Sequence, residues 1–424
     1  MGDPLYRRES VESLEYMIPR CRPDLNCIVH DSDLPFPEYL KQIDYHLIIL
    51  GPTFLCSRYI PVIYKSVLKN FKFIKESSAC KIALPQDDYD CSEILDEWML
   101  EWKIDRIYSV LSYNLNTIYS KSIKHSQIVL GYTGYISDEW ISNWISPKSH
   151  SERTIDVSYR ATRLGENFGS HGQLKWQIAD KFKNSIGNNS NLNLDISTEK
   201  KDFISGKAWH QFLENSKFCL SVASGSSLID ARNEIKICVN MHKARNSRAS
   251  FEEIENKCFK GIDRKFLFTA ISPRNIEAAL AETVQIAVPG DYSGLMVSGD
   301  HYIPLEKECE NINEVIDLME NKTYVDKIKK NCKELILSTP RLRQKNIVEE
   351  IIGFTETIIS QRNLLFSNQD KICKQFDRYE HEIHDISNRF WKSQRIFNKL
   401  KVLSINFGMR RIKNLLSPIY LRYK

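Results

Sequence analysis

An α/β fold of two Rossmann-like domains facing a central cleft, with a helical C-terminal extension, is what the sequence predicts. Three observations carry that expectation. Short apolar runs alternate with segments of helical periodicity, the pattern of a parallel sheet with helical crossovers. The alternation occurs twice in succession, on either side of Ser146-Pro147. Beyond Thr339-Pro340 it stops, and only helical periodicity remains. The implied division is an acceptor-side domain over 1–148, a second Rossmann-like domain over 149–340, and a bracing helix with a basic tail over 341–424.

In the first series, strands are expected at 45–50, 81–85, 106–110 and 127–130, with helices at 59–71 and 92–102. The second series opens with a strand at 154–160, a helix at about 172–182, a strand at 192–196 and a helix at 209–215. Strands at 218–222, 266–271, 284–288 and 301–305 complete it, with helices at 273–281 and 312–319. Residues 346–359 carry apolar side chains at helical spacing. Ile372, Phe376, Tyr379, Ile383, Ile386, Phe390, Phe397 and Leu400 form a heptad-like stripe.

Composition limits the function classes. At 424 residues, 42% hydrophobic and 27% charged, the chain has the profile of a globular protein larger than one core. The N-terminus lacks the apolar run of a secretory signal, and no stretch approaches the ~18–20 apolar residues of a membrane helix, so a cytoplasmic protein is expected. Eleven scattered cysteines, with no Cys-x-x-Cys pair, read as reduced and mostly buried thiols. The net charge of +5 is modest, and no nucleic-acid partner is expected. However, 391–424 holds nine lysines and arginines and no acid, pointing the tail at an anionic surface.

The strongest local signal is Ser272-Pro273-Arg274, with Glu277 one turn on. Ser272 suits a helix cap and Pro273 the first helical position. Following a strand, that helix start would offer free N–H groups and a dipole to a phosphate, with Arg274 as a cationic fork. Glu277 can accept two hydroxyls of a ribose. A second anion signal runs from Arg160 through Arg163, Gly165, Gly169, Ser170, His171 and Gly172 to Lys175. The loops Ser224-Gly225-Ser226-Ser227 and Gly290-Asp291-Tyr292-Ser293-Gly294 would share the same sheet edge. Each of these has a bland reading as a capped helix or a surface turn.

On the first domain, Gln86-Asp87-Asp88-Tyr89 follows a strand. Either Asp87 or Asp88 can orient or deprotonate an acceptor hydroxyl, or merely cap the next helix. Gly131-Tyr132-Thr133-Gly134-Tyr135 lines the same side. His46 reads as a core histidine, and His171 and His301 have no recognisable partner. His381 and His384, lacking third and fourth ligands, read as solvated, and no metal site is expected.

As an ordered set, these motifs resemble bacterial glycosyltransferases of the GT-B architecture related to the group-1 family, which assembles surface polysaccharides. The resemblance spans roughly 40–340. It rests on Leu84 to Tyr89, Asp156 to Arg160 leading through Leu164-Gly165 to Lys175-Trp176, Ser224 to Ser227, Ser272 to Arg274 with Glu277-Ala278, and Tyr292-Ser293-Gly294 followed by His301 to Leu305. It implies that Arg160 and Lys175 hold a donor diphosphate, that Glu277 binds the nucleotide ribose, and that Ser272, Arg274, Ser293 and Gly294 meet the donor. Asp87 or Asp88 would face the acceptor. No cofactor beyond the nucleotide-diphosphate sugar is implied, and Arg160, Lys175, Arg274 and helix N-termini would replace a metal. The family's earlier glutamate, eight positions before the ribose-binding one, is Thr269 here.

Two rivals share the fold: a nucleotide-sugar epimerase, which needs no acceptor loop, and an inactive scaffold, which Thr269 keeps open. The 372–400 stripe can pack on the body or pair with another subunit as a homo-oligomer. The aromatic and aliphatic residues of 391–424, set among cations, suit docking on an anionic membrane near a glycan or lipid-linked acceptor.

Overall fold

The computed structural model describes residues 9–144, 147–187, 191–364, 366 and 369–406, with side chains for all of these except 369, 370 and 397–406. Four short apolar strands, β1 (Leu47–Leu50), β2 (Cys80–Ala83), β3 (Arg106–Ser109) and β4 (Gln127–Leu130), form a parallel sheet in the order β1-β2-β3-β4. Leu47 lies opposite Cys80, and Ile107 opposite Ile128. An order that always advances in one direction puts successive right-handed crossovers on one face. Val67, Ile74, Leu95, Trp98 and Met99 from three crossover helices accordingly share one core with Leu50, Ala83 and Ile107.

The pleat turns Cys80, Ile82 and Tyr108 to the other face, which the crossovers leave bare. Distant chain covers it. The helix Gln344–Arg362 lays Ile347, Val348 and Ile351 there, beside Met17 and Ile18 from the helix Met17–Cys21. Its polar side chains fix the position. Glu350 Oε1 accepts from Arg106 Nη1 and the Tyr108 hydroxyl, each at 3.1 Å, and Gln344 Nε2 donates to Ser13 Oγ at 2.7 Å.

The second sheet contains β5 (Ile155–Arg160), β6 (Leu194–Ser197) and β7 (Ser216–Ser221). A two-stranded antiparallel pair, β8 (Ser224–Ser226) with β9 (Phe268–Ala270), follows in the chain. Two further strands, β10 (Val284–Ala287) and β11 (Ile303–Pro304), then complete the sheet. Its order is β11-β10-β7-β5-β6, all parallel. Counted within the unit, this is the doubly wound order 2-1-3-4-5. The direction of winding reverses between β5 and β7, and the crevice at such a reversal is where α/β sheets take ligands.

Two expectations fail here. The run 266–271 is not a strand of the main sheet: only 268–270 is extended, and it pairs antiparallel with 224–226. Gly225 makes that pairing possible. It sits at φ 148°, and a Cβ there would lie 1.8 Å from the Phe268 carbonyl oxygen. The cysteines are not all thiols either. Between β8 and β9, the helices Glu234–Arg245 and Phe251–Cys258 enclose a small core of Leu228, Ile235, Val239, Ile254 and Phe259. Their packing brings Cys238 and Cys258 to a Cα separation of 5.6 Å, and they form a disulfide. The pair is 20 residues apart in sequence, so spacing alone does not reveal it.

The last described helix, Gln369–Asn406, packs the start of its apolar stripe on its own chain. Phe376 and Tyr379 bury against Leu40, and the Tyr379 hydroxyl hydrogen-bonds His30 Nδ1 at 2.8 Å. Most of the expected basic tail, from 407 onward, lies outside the described residues. Among those described, no helix is long and apolar enough to cross a membrane.

Ile351 is fully buried between the helix Gln344–Arg362 and the first sheet. We expect Ile351→Ala to cost about 2–5 kcal/mol in denaturant unfolding, the range for deleting a core aliphatic side chain.

Candidate functional site

The two sheets meet through the loops at their C-terminal edges. Thr133 Oγ1, beyond β4, donates to the Ile271 carbonyl at 3.3 Å. Ser112 Oγ, beyond β3, donates to Asp291 Oδ2 at 2.6 Å, and the Tyr113 hydroxyl donates to the Leu267 carbonyl. Gly134 abuts Pro273, where a Cβ would sit 3.1 Å from the ring. The loop 131–135 thus lies against the start of the helix Pro273–Leu280 and 111–113 against 267–269 and Asp291, while Gln86 donates to the Thr133 carbonyl at 3.3 Å.

That helix is held by a buried polar network. Asn275 Oδ1 accepts from the N–H and hydroxyl of Ser272, and its Nδ2 donates to Ser221 Oγ and Gln285 Oε1, each at 2.7 Å. Ser221 ends β7 and Gln285 lies in β10, so the helix N-terminus is pinned at the C-terminal edge of the second sheet. From that start, Arg274 reaches the Arg160 carbonyl at 2.5 Å and lies over the Trp209 ring.

Glu277, one turn on, is only 9% exposed, and its Oε2 accepts from Trp209 Nε1 at 2.8 Å. Burial pushes its pKa up to about 7. The Trp209 hydrogen bond and the Arg274 charge pull it down by less, while Glu9 pushes it further up. A carboxyl at this edge thus changes charge near neutrality, beside an arginine and an indole.

On the acceptor side, Asp87 is partly exposed and in a left-handed conformation, φ 52°. Its Oδ1 accepts from the Tyr89 hydroxyl at 2.5 Å. Arg58 is buried beneath this loop and donates to the carbonyls of Gln86, Asp87, Asp90 and Leu55. Lys175, on the helix Gly169–Ile186, donates to Ser224 Oγ at 3.2 Å, just past the end of β7.

The structure corrects four assignments. Asp88 does not face the cleft. It is fully buried in the first unit, where Oδ2 accepts from Ser109 and Tyr119, because alternation along the loop turns it inward. Arg160 does not present its guanidinium to a ligand. It pairs with Asp195 Oδ1 at 2.7 Å and donates to the carbonyls of Tyr159, Asp195 and Asp202, leaving only its own carbonyl at the edge. The helix start at 169–172 is capped from within. Asp263 accepts from the Ser170 N–H, and Ser227 Oγ accepts from the His171 N–H, so a protein carboxylate already occupies the dipole's positive end. Ser293 spends its hydroxyl on the Ile271 N–H, and Gly294 spends its N–H on Asp291, so that loop ties strand to turn.

The histidines play no visible part. His171 Nε2 hydrogen-bonds the Ala223 carbonyl, and burial holds its pKa down at about 4. His301 Nδ1 accepts from the Val297 N–H, and His381 and His384 are exposed. Among the described residues, no cluster of three or more metal-ligating side chains occurs. Sequence reasoning missed Trp209, Arg58 and Asp263, since nothing in their spacing ties them to Glu277, to the 86–90 loop or to the 169–172 turn.

No protein-family model matches this chain, and no curated protein does. Solved structures similar to it include Anabaena HepE in complex with UDP-glucose, at 11% identity over 74% of this chain and 79% of that one, with a TM-score of 0.38. A glycosyltransferase from Rickettsia africae follows at 10% identity, over 73% and 82%, with a TM-score of 0.33. The pneumococcal O-GlcNAc transferase GtfA, in complex with UDP and GlcNAc, matches at 11% identity over 70% and 55%, with a TM-score of 0.34. Scores this low carry no argument, and the fold rests on the strand orders given above.

Glu277 supplies a test of the site's electrostatics. Its folded pKa lies above the unfolded value of 4.5, so the folded state holds the extra proton between pH 4.5 and about 7. The wild type therefore loses stability as pH rises through that window, by about 3 kcal/mol in all. Glu277→Gln keeps an acceptor for Trp209 but cannot ionise. We expect the variant to match the wild type near pH 4.5 and exceed it at pH 8 by up to that amount in urea unfolding. A pH-independent difference would contradict the assignment.

Proposed function

We propose that this chain is a glycosyltransferase of the GT-B architecture, moving a sugar from a nucleotide-diphosphate donor to an acceptor hydroxyl. The observation that carries the reading is Glu277. It is a buried, perturbed carboxyl one turn into a helix whose N-terminus and Arg274 lie at the edge of a doubly wound sheet, against the 131–135 loop of the opposite unit. In this scheme Glu277 accepts the ribose hydroxyls, while Arg274, Lys175 and the helix start at Ser272 stabilise charge on the departing diphosphate. The acceptor oxygen forms a bond to the anomeric carbon as the bond to the phosphate oxygen breaks, and its proton passes to Asp87. Admitting the donor requires the Thr133–Ile271 and Ser112–Asp291 contacts to part, which makes closure over bound donor part of the cycle.

We further assign the transfer to a hexosyl group, independent of a metal, with a glycan or lipid-linked acceptor in surface polysaccharide or glycolipid assembly. Two observations favour the rival of an inactive scaffold: the Asp263 cap and the Asp195-paired Arg160 remove two of the expected phosphate contacts.

Thermal shift with UDP, GDP, ADP and CMP separates the two. We expect one nucleoside diphosphate to stabilise the wild type and neither Glu277→Ala nor Lys175→Met. Stabilisation by none of the four selects the scaffold. With the donor identified, transfer rates should be unchanged in chelator, and loss of activity restored by manganese would refute metal independence.

A further inference from the structure

Away from the edge where the sheets meet, a cavity of about 540 Å³ runs beside β1, between that strand, the helices Met17–Cys21 and Gln344–Arg362, and the start of Gln369–Asn406. That volume is in the range of about 300–1,000 Å³ typical of sites that enclose small molecules. Its walls are chiefly Ile18, Leu25, Ile49, Phe54, Ile352 and Phe376. Several inner polar groups are already spent: His30 on Tyr379 and the Leu34 carbonyl, Tyr45 on the Leu40 carbonyl, and Thr355 on the Ile351 carbonyl. Such walls offer water little, and leaving them empty is costly.

One end differs. The lining reaches Leu50, Gly51 and Leu84, at the C-terminal ends of β1 and β2 and three residues short of Asp87. There Glu15 Oε1 accepts from the Thr53 hydroxyl, while its Oε2 is buried with no partner among the described residues. The exposed Asp44 and Glu356 lie at the opposite end of the cavity, by the N-terminal ends of β1 and β2. A carboxylate at the Glu15 end disfavours an anionic head, and its unpartnered oxygen calls for a hydroxyl donor.

We propose that the cavity takes the hydrocarbon tail of an uncharged, hydroxyl-bearing amphiphile, with its head at Glu15. Resting on the function proposed above, this makes the acceptor a neutral glycolipid-type molecule, delivered to Asp87 by its tail.

Decyl β-D-glucoside below its micellar concentration is the probe, titrated by calorimetry. Saturable one-to-one binding to the wild type is expected, with no binding of glucose, at least tenfold weaker binding of decanoate, and at least a threefold loss in Glu15→Gln. Ile352→Trp, which fills the cavity, should abolish binding, and Ile359→Trp repeats the test at a second position of the wall should the first variant misfold. Geranyl β-D-glucoside in parallel tells an isoprenoid tail from an acyl-like one. Failure of the wild type to bind either glucoside, or undiminished binding by a folded tryptophan variant, overturns the proposal. Nucleotide stabilisation, measured on the same samples, reports on the donor site separately: a wild type stabilised by nucleotide that ignores both glucosides refutes the cavity assignment alone.

Discussion

The site depends on the side chain of Asn275. It is 1% exposed, and each of its amide hydrogens and its oxygen is matched by a neighbour: Ser272, Ser221 and Gln285. A buried amide is tolerated only when satisfied in this way, and a satisfied one fixes geometry that apolar packing would leave loose. Through it the helix start is set against the ends of β7 and β10, and the directions of Arg274 and Glu277 follow. Through Pro273 the same start meets Gly134 at the contact with the first unit, so one amide positions both the helix start and that contact.

Most strands were legible because a strand buried on both faces is a short unbroken apolar run, and such runs bounded by glycine or proline are few. The run at 266–271 misled because its apolar residues serve a different purpose. Phe266 and Phe268 pack into the first unit's core, with Phe268 beside Tyr89 and Tyr113, instead of extending the second sheet. Periodicity reports burial and does not say against what. Likewise, the helix and acid at 272–277 were visible from cap, proline and spacing, whereas the fates of Arg160 and of the turn at 169 were not. Both are decided by carboxylates, Asp195 and Asp263, that lie 35 and more than 90 residues away in the chain.

The anion-attracting features are therefore unevenly spent. One helix dipole and one arginine are neutralised within the protein and lend stability to the second unit. The other helix start keeps Arg274 at a carbonyl edge, with Glu277 poised between charge states. On the facing loop, Arg58 offers its charge to four carbonyls and no carboxylate, which leaves Asp87 to a tyrosine hydroxyl. The other oxygen of Asp87 has no hydrogen-bond partner among the described residues, whereas its neighbour Asp88 is bonded to Ser109 and Tyr119 within the first unit.

The helix Gln344–Arg362 comes late in the chain, yet it covers a sheet whose strands lie before residue 131. On a ribosome, the bare face of that sheet stays uncovered while more than two hundred further residues are made. The second unit, whose sheet ends at residue 304, can assemble first. The unit synthesised first is the last to be completed, and through that interval its exposed Cys80, Ile82 and Tyr108 face is a natural client for chaperones.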